Sequence, residues 1–147
     1  MKVGHMKPTK LLHWIDAPII LSFGTYVCSY ITSRGLWCIR SILGIGIAVV
    51  AFALWWLAHI QLGESFAIKA EARSLVTTGL YSRIRHPIYF FGGLGYLGLF
   101  VAWGKWIPLL LFVSIYSTQL FRVRKEESVL QQAFGEDYHR YRAGTWF

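Results

Sequence analysis

The sequence predicts an all-α, polytopic integral membrane protein with about four transmembrane helices, a C-terminal helical hairpin and a cytoplasmic helical tail. Hydrophobic residues make up 55% of the 147 residues and charged residues only 15%. Long apolar stretches also alternate with short polar ones, and we expect spans at residues 17–32, 39–59, 88–103 and 106–121. A soluble helical bundle is the alternative, but little polar sequence is left to coat it. The whole chain, 1–147, is interpreted as one domain.

The first two spans follow a basic arm at the N-terminus. No small-x-small cleavage site closes the first apolar run, so we expect this segment to be retained as a span that begins near Pro18. The second span contains Gly44 and Gly46, where another helix can approach closely. Cys28 and Cys38 lie near the outer ends of these spans and could meet, although two small buried side chains explain them as well.

The third and fourth spans are joined by only Gly104 and Lys105, which predicts an antiparallel helical hairpin. The tail that follows has helical spacing up to Gly135, a plausible helix end. A short amphipathic helix carrying Tyr138 and Tyr141 is expected after that glycine.

The net charge of +8 is distributed unevenly across the predicted membrane. If both termini share one side, that side holds 12 of the 15 Lys and Arg residues and the other side holds Arg34, Arg40 and Lys105. The positive-inside rule then places both termini and the 61–87 loop in the cytoplasm. Anionic lipid headgroups account for the surplus, so we predict no nucleic-acid partner.

Two polar groups stand where spans meet the cytoplasm. Arg122 and Glu126 are one helical turn apart and share a face of the helix that leaves the membrane; Glu127 points about 100° away, towards a second contact or water. Charged residues at the end of a span are costly to keep there, so a functional role is favoured over an ordinary surface ion pair.

The second group is His86-Pro87 with its neighbours. Proline at a helix start and interfacial cations are common, but they do not explain the aromatic residues Tyr81, Tyr89, Phe90 and Phe91 or the glycines that follow them. Aromatic faces attract sulfonium and ammonium cations, and glycines let a ligand approach the backbone. The pattern therefore favours a site for a zwitterionic, positively charged molecule.

The segments LVTTGLYSRIRHPIYFFG and RVRKEESVLQQAFGEDYHRYR together resemble the isoprenylcysteine carboxyl methyltransferase family, within the membrane phospholipid methyltransferase superfamily. The resemblance covers residues 62–142 and implies an enzyme that uses S-adenosylmethionine to methylate a lipidic acceptor. In a prokaryote the membrane would be the plasma or inner membrane, and in a eukaryote the endoplasmic reticulum. No metal is implied.

By position, the resemblance also implies the site residues. Arg122 would face the substrate and orient its carboxylate, and Glu126 would hold the cofactor through its ammonium group. The other implied cofactor-binding residues are Arg73, Ser74, Leu75, Val76, Tyr81, His86, Pro87, Ile88 and Tyr89.

Three alternatives remain open from the sequence. Phospholipid N-methylation would use Gly93 and Gly95 with the Glu126-Glu127 pair, and sterol reduction would use a similar hairpin to bind a nicotinamide cofactor. A non-catalytic haem-binding subunit would use His13 and His59 as axial ligands, although histidines at span ends are usually interfacial.

Overall fold

The computed structural model describes residues 8–62 and 76–146. Four α-helices make up most of this part of the chain: α1 (Pro8–Ser33), α2 (Ile39–Leu62), α3 (Pro87–Trp103) and α4 (Trp106–Ala143). A 3-10 turn, Gly79–Ser82, lies in the connector between α2 and α3. The all-helical class is confirmed, and each of the four predicted spans lies inside one of the helices.

Two of the described helices, α2 and α4, are long and apolar enough to cross a membrane, and α3 is apolar but has only 17 residues. Many large apolar side chains on these helices are exposed; Ile39 and Phe121 are 79% and 69% accessible. This surface suits a hydrocarbon solvent better than water, and it disfavours the soluble-bundle alternative. The predicted spans in α1 and α3 stay predictions.

Helix α1 begins earlier than its predicted span. The helix starts at Pro8 and continues through Pro18, which stands inside it. Proline is tolerated in the first turn because a backbone N–H there would have no helical partner, whereas an internal proline removes one backbone hydrogen bond. The polar residues ahead of the span therefore extend the helix rather than lead up to it.

Helices α2 and α3 pack antiparallel through small residues. A Cβ built on Gly44 would lie 2.6 Å from the backbone nitrogen of Ala102, and one on Gly98 would lie 2.8 Å from that of Ala48. The backbones can approach this closely only because these positions lack side chains. The expectation is therefore confirmed for Gly44. For Gly46 it is wrong, because a Cβ there would meet nothing within 4 Å and the residue lines an open apolar groove of about 540 Å³.

Helices α3 and α4 form the predicted antiparallel hairpin. Gly104 ends α3 in a left-handed conformation (φ 71°), and its N–H donates to the carbonyl of Phe100 at 2.9 Å. Phe112 of α4 packs on Phe100, with ring centroids 5.2 Å apart, and nearer the other end the Tyr116 hydroxyl donates to the carbonyl of Tyr89. These contacts bring the start of α3 beside the middle of α4.

Helix α4 continues without interruption from the predicted span into the tail. Its break comes at Gly135, with φ 49° and ψ −120°, which a residue with a Cβ rarely adopts. The predicted helix end at Gly135 is thus confirmed, and the chain resumes as the short helix that carries Tyr138 and Tyr141. The two cysteines are free, so the structure contains no disulfide between Cys28 and Cys38.

Candidate functional site

The connector ahead of α3 is anchored to the end of α2. Gly79 has a positive φ of 61° and lies against the side chain of Gln61, whose Oε1 accepts the N–H of Leu80 at 2.8 Å. The buried Tyr81 follows in the 3-10 turn, and its hydroxyl lies 3.4 Å from the carbonyl of Ala58. These contacts fix the backbone that leads to His86.

Tyr89 and Glu126 join the first turn of α3 to α4. The Tyr89 hydroxyl donates to Glu126 Oε1 at 2.6 Å, a short hydrogen bond of the kind that a carboxylate accepts. The Glu126 side chain keeps 39% of its surface accessible, so it can still meet a ligand. Two residues assigned to cofactor binding by the resemblance are therefore in direct contact.

His86 is buried between the two carboxylates of α4. Its Nδ1 lies 4.0 Å from Glu126 Oε2, and its Nε2 lies 3.5 Å from Glu127 Oε1. Burial lowers the pKa of His86, while the charges of Glu126 and Glu127 oppose that shift. Because the net shift is downward, the ring is neutral at pH 7 and can donate from only one nitrogen.

Glu127 points inward rather than into water. Its side chain is 19% accessible, and its Oε1 lies 3.6 Å from Arg85 Nε as well as near His86. Among the alternatives left open for Glu127, the structure therefore supports a second contact. Arg85 was not singled out from the sequence, where it reads as one of several interfacial cations.

The helix after Gly135 folds back onto the connector. Tyr138 is 1% accessible, and the Tyr141 hydroxyl donates to the carbonyl of Tyr81 at 2.6 Å. Burial raises the pKa of Tyr141 to about 12, so this hydroxyl keeps its proton. Further on, the N–H of Trp146 donates to the carbonyl of Arg83 at 3.0 Å. Sequence spacing indicated the helix but carried no signal for where it docks.

The remaining residues assigned from the resemblance fall into three groups. Pro87 is fully buried at the first turn of α3, and Ile88 packs beside Trp55 and Phe91. Arg122, one turn before Glu126, is exposed, and Val76 is half-buried at the start of the described connector. Arg73, Ser74 and Leu75 lie outside the described residues.

The two glycines considered for phospholipid N-methylation contact neighbouring helices. A Cβ on Gly93 would lie 2.6 Å from the ring and hydroxyl of Tyr116, and one on Gly95 would lie 2.6 Å from the ring of Phe52. Both positions thus accommodate aromatic side chains of α4 and α2. Their smallness has a structural explanation that needs no ligand.

Of the two histidines of the haem alternative, His59 is the one whose side chain the structure describes. His59 Nδ1 lies 2.9 Å from the carbonyl of Trp55, so this nitrogen donates within its own helix. The side chain of His13 lies outside the described residues. The polar groups that converge are instead those at the start of α3 and on α4.

The fold and site define an α-helical protein with two candidate membrane spans and an acidic, aromatic cluster at one end of its hairpin. The sequence model of the phospholipid methyltransferase family matches residues 34–137. The chain belongs to this family.

Two curated relatives carry a more specific name. The chain is 37% identical over 92 residues to the protein-S-isoprenylcysteine O-methyltransferase of Schizosaccharomyces pombe, covering 58% of this chain and 39% of that protein. It is 31% identical over 123 residues to the protein of the same name in Dictyostelium discoideum, covering 65% of this chain and 48% of that one. The chain thus spans less than half the length of either relative.

Proposed function

We propose that this protein is a membrane methyltransferase that uses S-adenosylmethionine to methylate a carboxylate of an isoprenylcysteine-type acceptor. The observation that carries the proposal is the Tyr89–Glu126 hydrogen bond beside the buried, neutral His86. It places one accessible carboxylate among aromatic and neutral groups, at the end of a hairpin whose outer surface is apolar. The names of the two relatives support the choice of acceptor.

The residues present fit the proposed cofactor. Glu126 is partly accessible and its fixed neighbours Tyr89 and His86 are neutral, so its negative charge is available to a ligand's ammonium group. Tyr89 orients the carboxylate, and Tyr81 and the backbone of Val76 are proposed to contribute further contacts to the cofactor. When bound, S-adenosylmethionine supplies an electrophilic methyl group on a sulfonium.

This chain's own residues then position the acceptor and exclude water. A carboxylate acceptor carries no proton to be removed, so the reaction needs no general base. Arg122, exposed one turn before Glu126, is proposed to orient that carboxylate through its planar guanidinium. The buried His86 and the aromatic residues at the start of α3 keep water away from the reacting groups.

The proposed topology has four spans, with both termini and the site in the cytoplasm. The distribution of 12 cationic residues on one side and three on the other supports it. Because α3 is short, we expect the membrane to thin around it or α3 to borrow the polar residues at its ends. The single-domain assignment, 1–147, and the cofactor region, 62–142, belong to the same proposal.

Phospholipid N-methylation is the second candidate, because the matching family model is described as phospholipid methyltransferase and Glu126-Glu127 is an acidic pair. The acceptor distinguishes the two reactions. Carboxyl methyl esters are labile to base, whereas methylated amines are stable.

The test incubates the purified full chain with methyl-labelled S-adenosylmethionine and, separately, a prenylcysteine and an aminophospholipid. We expect label in the prenylcysteine product and its release as methanol after mild alkali. Base-stable label in the aminophospholipid would support the second candidate instead. If the chain binds the cofactor but transfers label to neither, the proposed acceptor is wrong.

A further inference from the structure

Two adjacent carboxylates of α4 differ in surroundings. Glu126 is 39% accessible and accepts a hydrogen bond from a neutral tyrosine, whereas Glu127 is 19% accessible and lies against a guanidinium and an imidazole. Neighbours in sequence point about 100° apart on a helix, so one can face a ligand while the other faces the protein. In the structure Glu127 faces the protein, and Glu126 is the more accessible of the two.

One oxygen of Glu127 lies near two buried nitrogen donors. Oε1 lies 3.5 Å from His86 Nε2 and 3.6 Å from Arg85 Nε, and neither nitrogen has a hydrogen-bond partner within the described part of the chain. The Tyr138 hydroxyl is buried nearby without a partner among the same residues, and the Glu127 charge adds to the burial that raises the pKa of Tyr138. Glu127 is thus the carboxylate on which groups from the connector and the last helix converge.

The charge balance separates the two carboxylates further. Glu127 is paired with the guanidinium of Arg85, which offsets its charge, so it is a poor site for a ligand's ammonium group. Glu126 instead lies against the Tyr89 hydroxyl and the His86 imidazole. Of these two carboxylates, Glu126 is therefore the better placed to bind a ligand's ammonium group.

We propose that Glu127 is a positioning residue: it holds Arg85 and the Nε2 side of His86, and so fixes the imidazole whose Nδ1 borders Glu126. The contact itself does not depend on the proposed function. Its consequence, a correctly shaped cofactor site, does rest on that function. It separates the roles of the two glutamates, which the sequence pattern alone treats as a pair.

The first test needs no enzyme activity. The groups facing His86 are Arg85 on the connector, Glu126 and Glu127 on α4, and the Tyr89 ring on α3. NMR titration of imidazole-labelled protein, with His86 assigned through His86→Gln, measures its pKa. Glu127→Gln removes a negative charge and should shift the midpoint down by about 0.5 to 1 pH unit, and Arg85→Met should shift it up by a similar amount.

Glu136→Gln is the matched control, because Glu136 is an exposed carboxylate beyond the Gly135 break. It should leave the His86 midpoint unchanged. If Glu127→Gln does not fold, as judged by thermal unfolding in detergent, the Arg85→Met shift still decides. A His86 midpoint that does not move in the folded variants overturns the proposed contact.

The second test asks whether Glu127 acts through its partners or on the cofactor. Cofactor affinity is measured for Glu127→Gln, Arg85→Met and the double variant. Two members of one network give non-additive effects: if each single change weakens binding about tenfold, the double variant should also be about tenfold weaker. A loss of about 100-fold in the double variant would mean that Glu127 contacts the ligand independently, and would overturn the positioning role.

The His86 midpoint and the cofactor affinity test the Glu127 contact and the proposed function separately. A protein that shows the opposite His86 shifts but binds no S-adenosylmethionine contradicts the proposed function and supports the Glu127 contact. If Glu127 and Arg85 instead contribute independently to cofactor binding, the proposed function is supported and the positioning role of Glu127 is contradicted.

Discussion

At the scale of single residues, accessibility decides which carboxylate is available to a ligand. Glu126 and Glu127 have the same chemistry and adjacent places in the chain, but the side chain of Glu126 is 39% accessible and that of Glu127 only 19%. Tyr89 holds Glu126 from α3 with a 2.6 Å hydrogen bond. The proposed cofactor contact therefore depends on a tyrosine that need not touch the cofactor's reactive group.

Tyr89→Phe tests this dependence. It keeps the ring but removes the hydrogen bond, and bonds to charged groups contribute about 1.5 to 3 kcal/mol. Because Glu126 is partly exposed, we expect the lower end of that range, or about tenfold weaker binding of S-adenosylmethionine by calorimetry. Tyr26→Phe, at the opposite end of the bundle, is the control and should bind like the parent. Equal affinities for all three proteins would show that the hydrogen bond does not order Glu126.

At the scale of helices, the contact between α2 and α3 positions the site. Small residues let the two backbones touch near Gly44 and Gly98, and Trp55 packs with Ile84 and Phe91 at the end nearer the connector. Close contact between helices is a main source of stability in a membrane, where apolar burial between helices gains little. The start of α3, and with it His86 and Tyr89, is thereby fixed relative to α2.

Gly44→Ala and Gly46→Ala form a matched pair on the same helix. The added methyl group at Gly44 meets the backbone of Ala102 and Gly98, whereas at Gly46 it meets open space. Overpacking costs about 1 to 3 kcal/mol, while alanine at a free helical position is at least neutral. Thermal unfolding in detergent should therefore show a lower Tm for Gly44→Ala and an unchanged or higher Tm for Gly46→Ala. Equal effects would argue against the close α2–α3 contact.

The sequence predicted helices better than it predicted how the connector and last helix dock. Apolar length located the four helices that contain the predicted spans, and Gly104 and Gly135 ended helices where the sequence indicated. Nothing in the spacing showed that Tyr141 would reach the Tyr81 carbonyl or that Arg85 would pair with Glu127. The first contact depends on the direction the chain takes after Gly135, and the second on how the connector packs against α4. Both are tertiary properties with no local period.

The candidate site was likewise predictable only in part. The resemblance assigned Glu126, His86 and Tyr89 to one cofactor site, and the structure brings these three side chains together. The inward role of Glu127 was left open, because helical geometry gives the angle between neighbours but not which of them faces the protein. Gly93 and Gly95 matched a glycine pattern, yet each makes room for an aromatic ring of a neighbouring helix.

At the scale of the whole molecule, the polar residues of the candidate site lie together at one end of the bundle. The connector, the start of α3, the middle of α4 and the helix after Gly135 meet there, while the outer faces of α2 and α4 are apolar. This arrangement suits a reaction between a polar methyl donor and an acceptor carried in lipid. Membership of the phospholipid methyltransferase family agrees with that arrangement.

The most direct measurement compares cofactor binding and turnover in two variants of the purified full chain. Glu126→Ala removes the accessible carboxylate and should lose binding of S-adenosylmethionine, whereas Arg122→Ala should bind it normally and lose methyl transfer to a prenylcysteine. Glu136→Ala serves as the control and should match the parent in both assays. Unchanged cofactor affinity in Glu126→Ala would contradict the assignment of Glu126, and with it the proposed site.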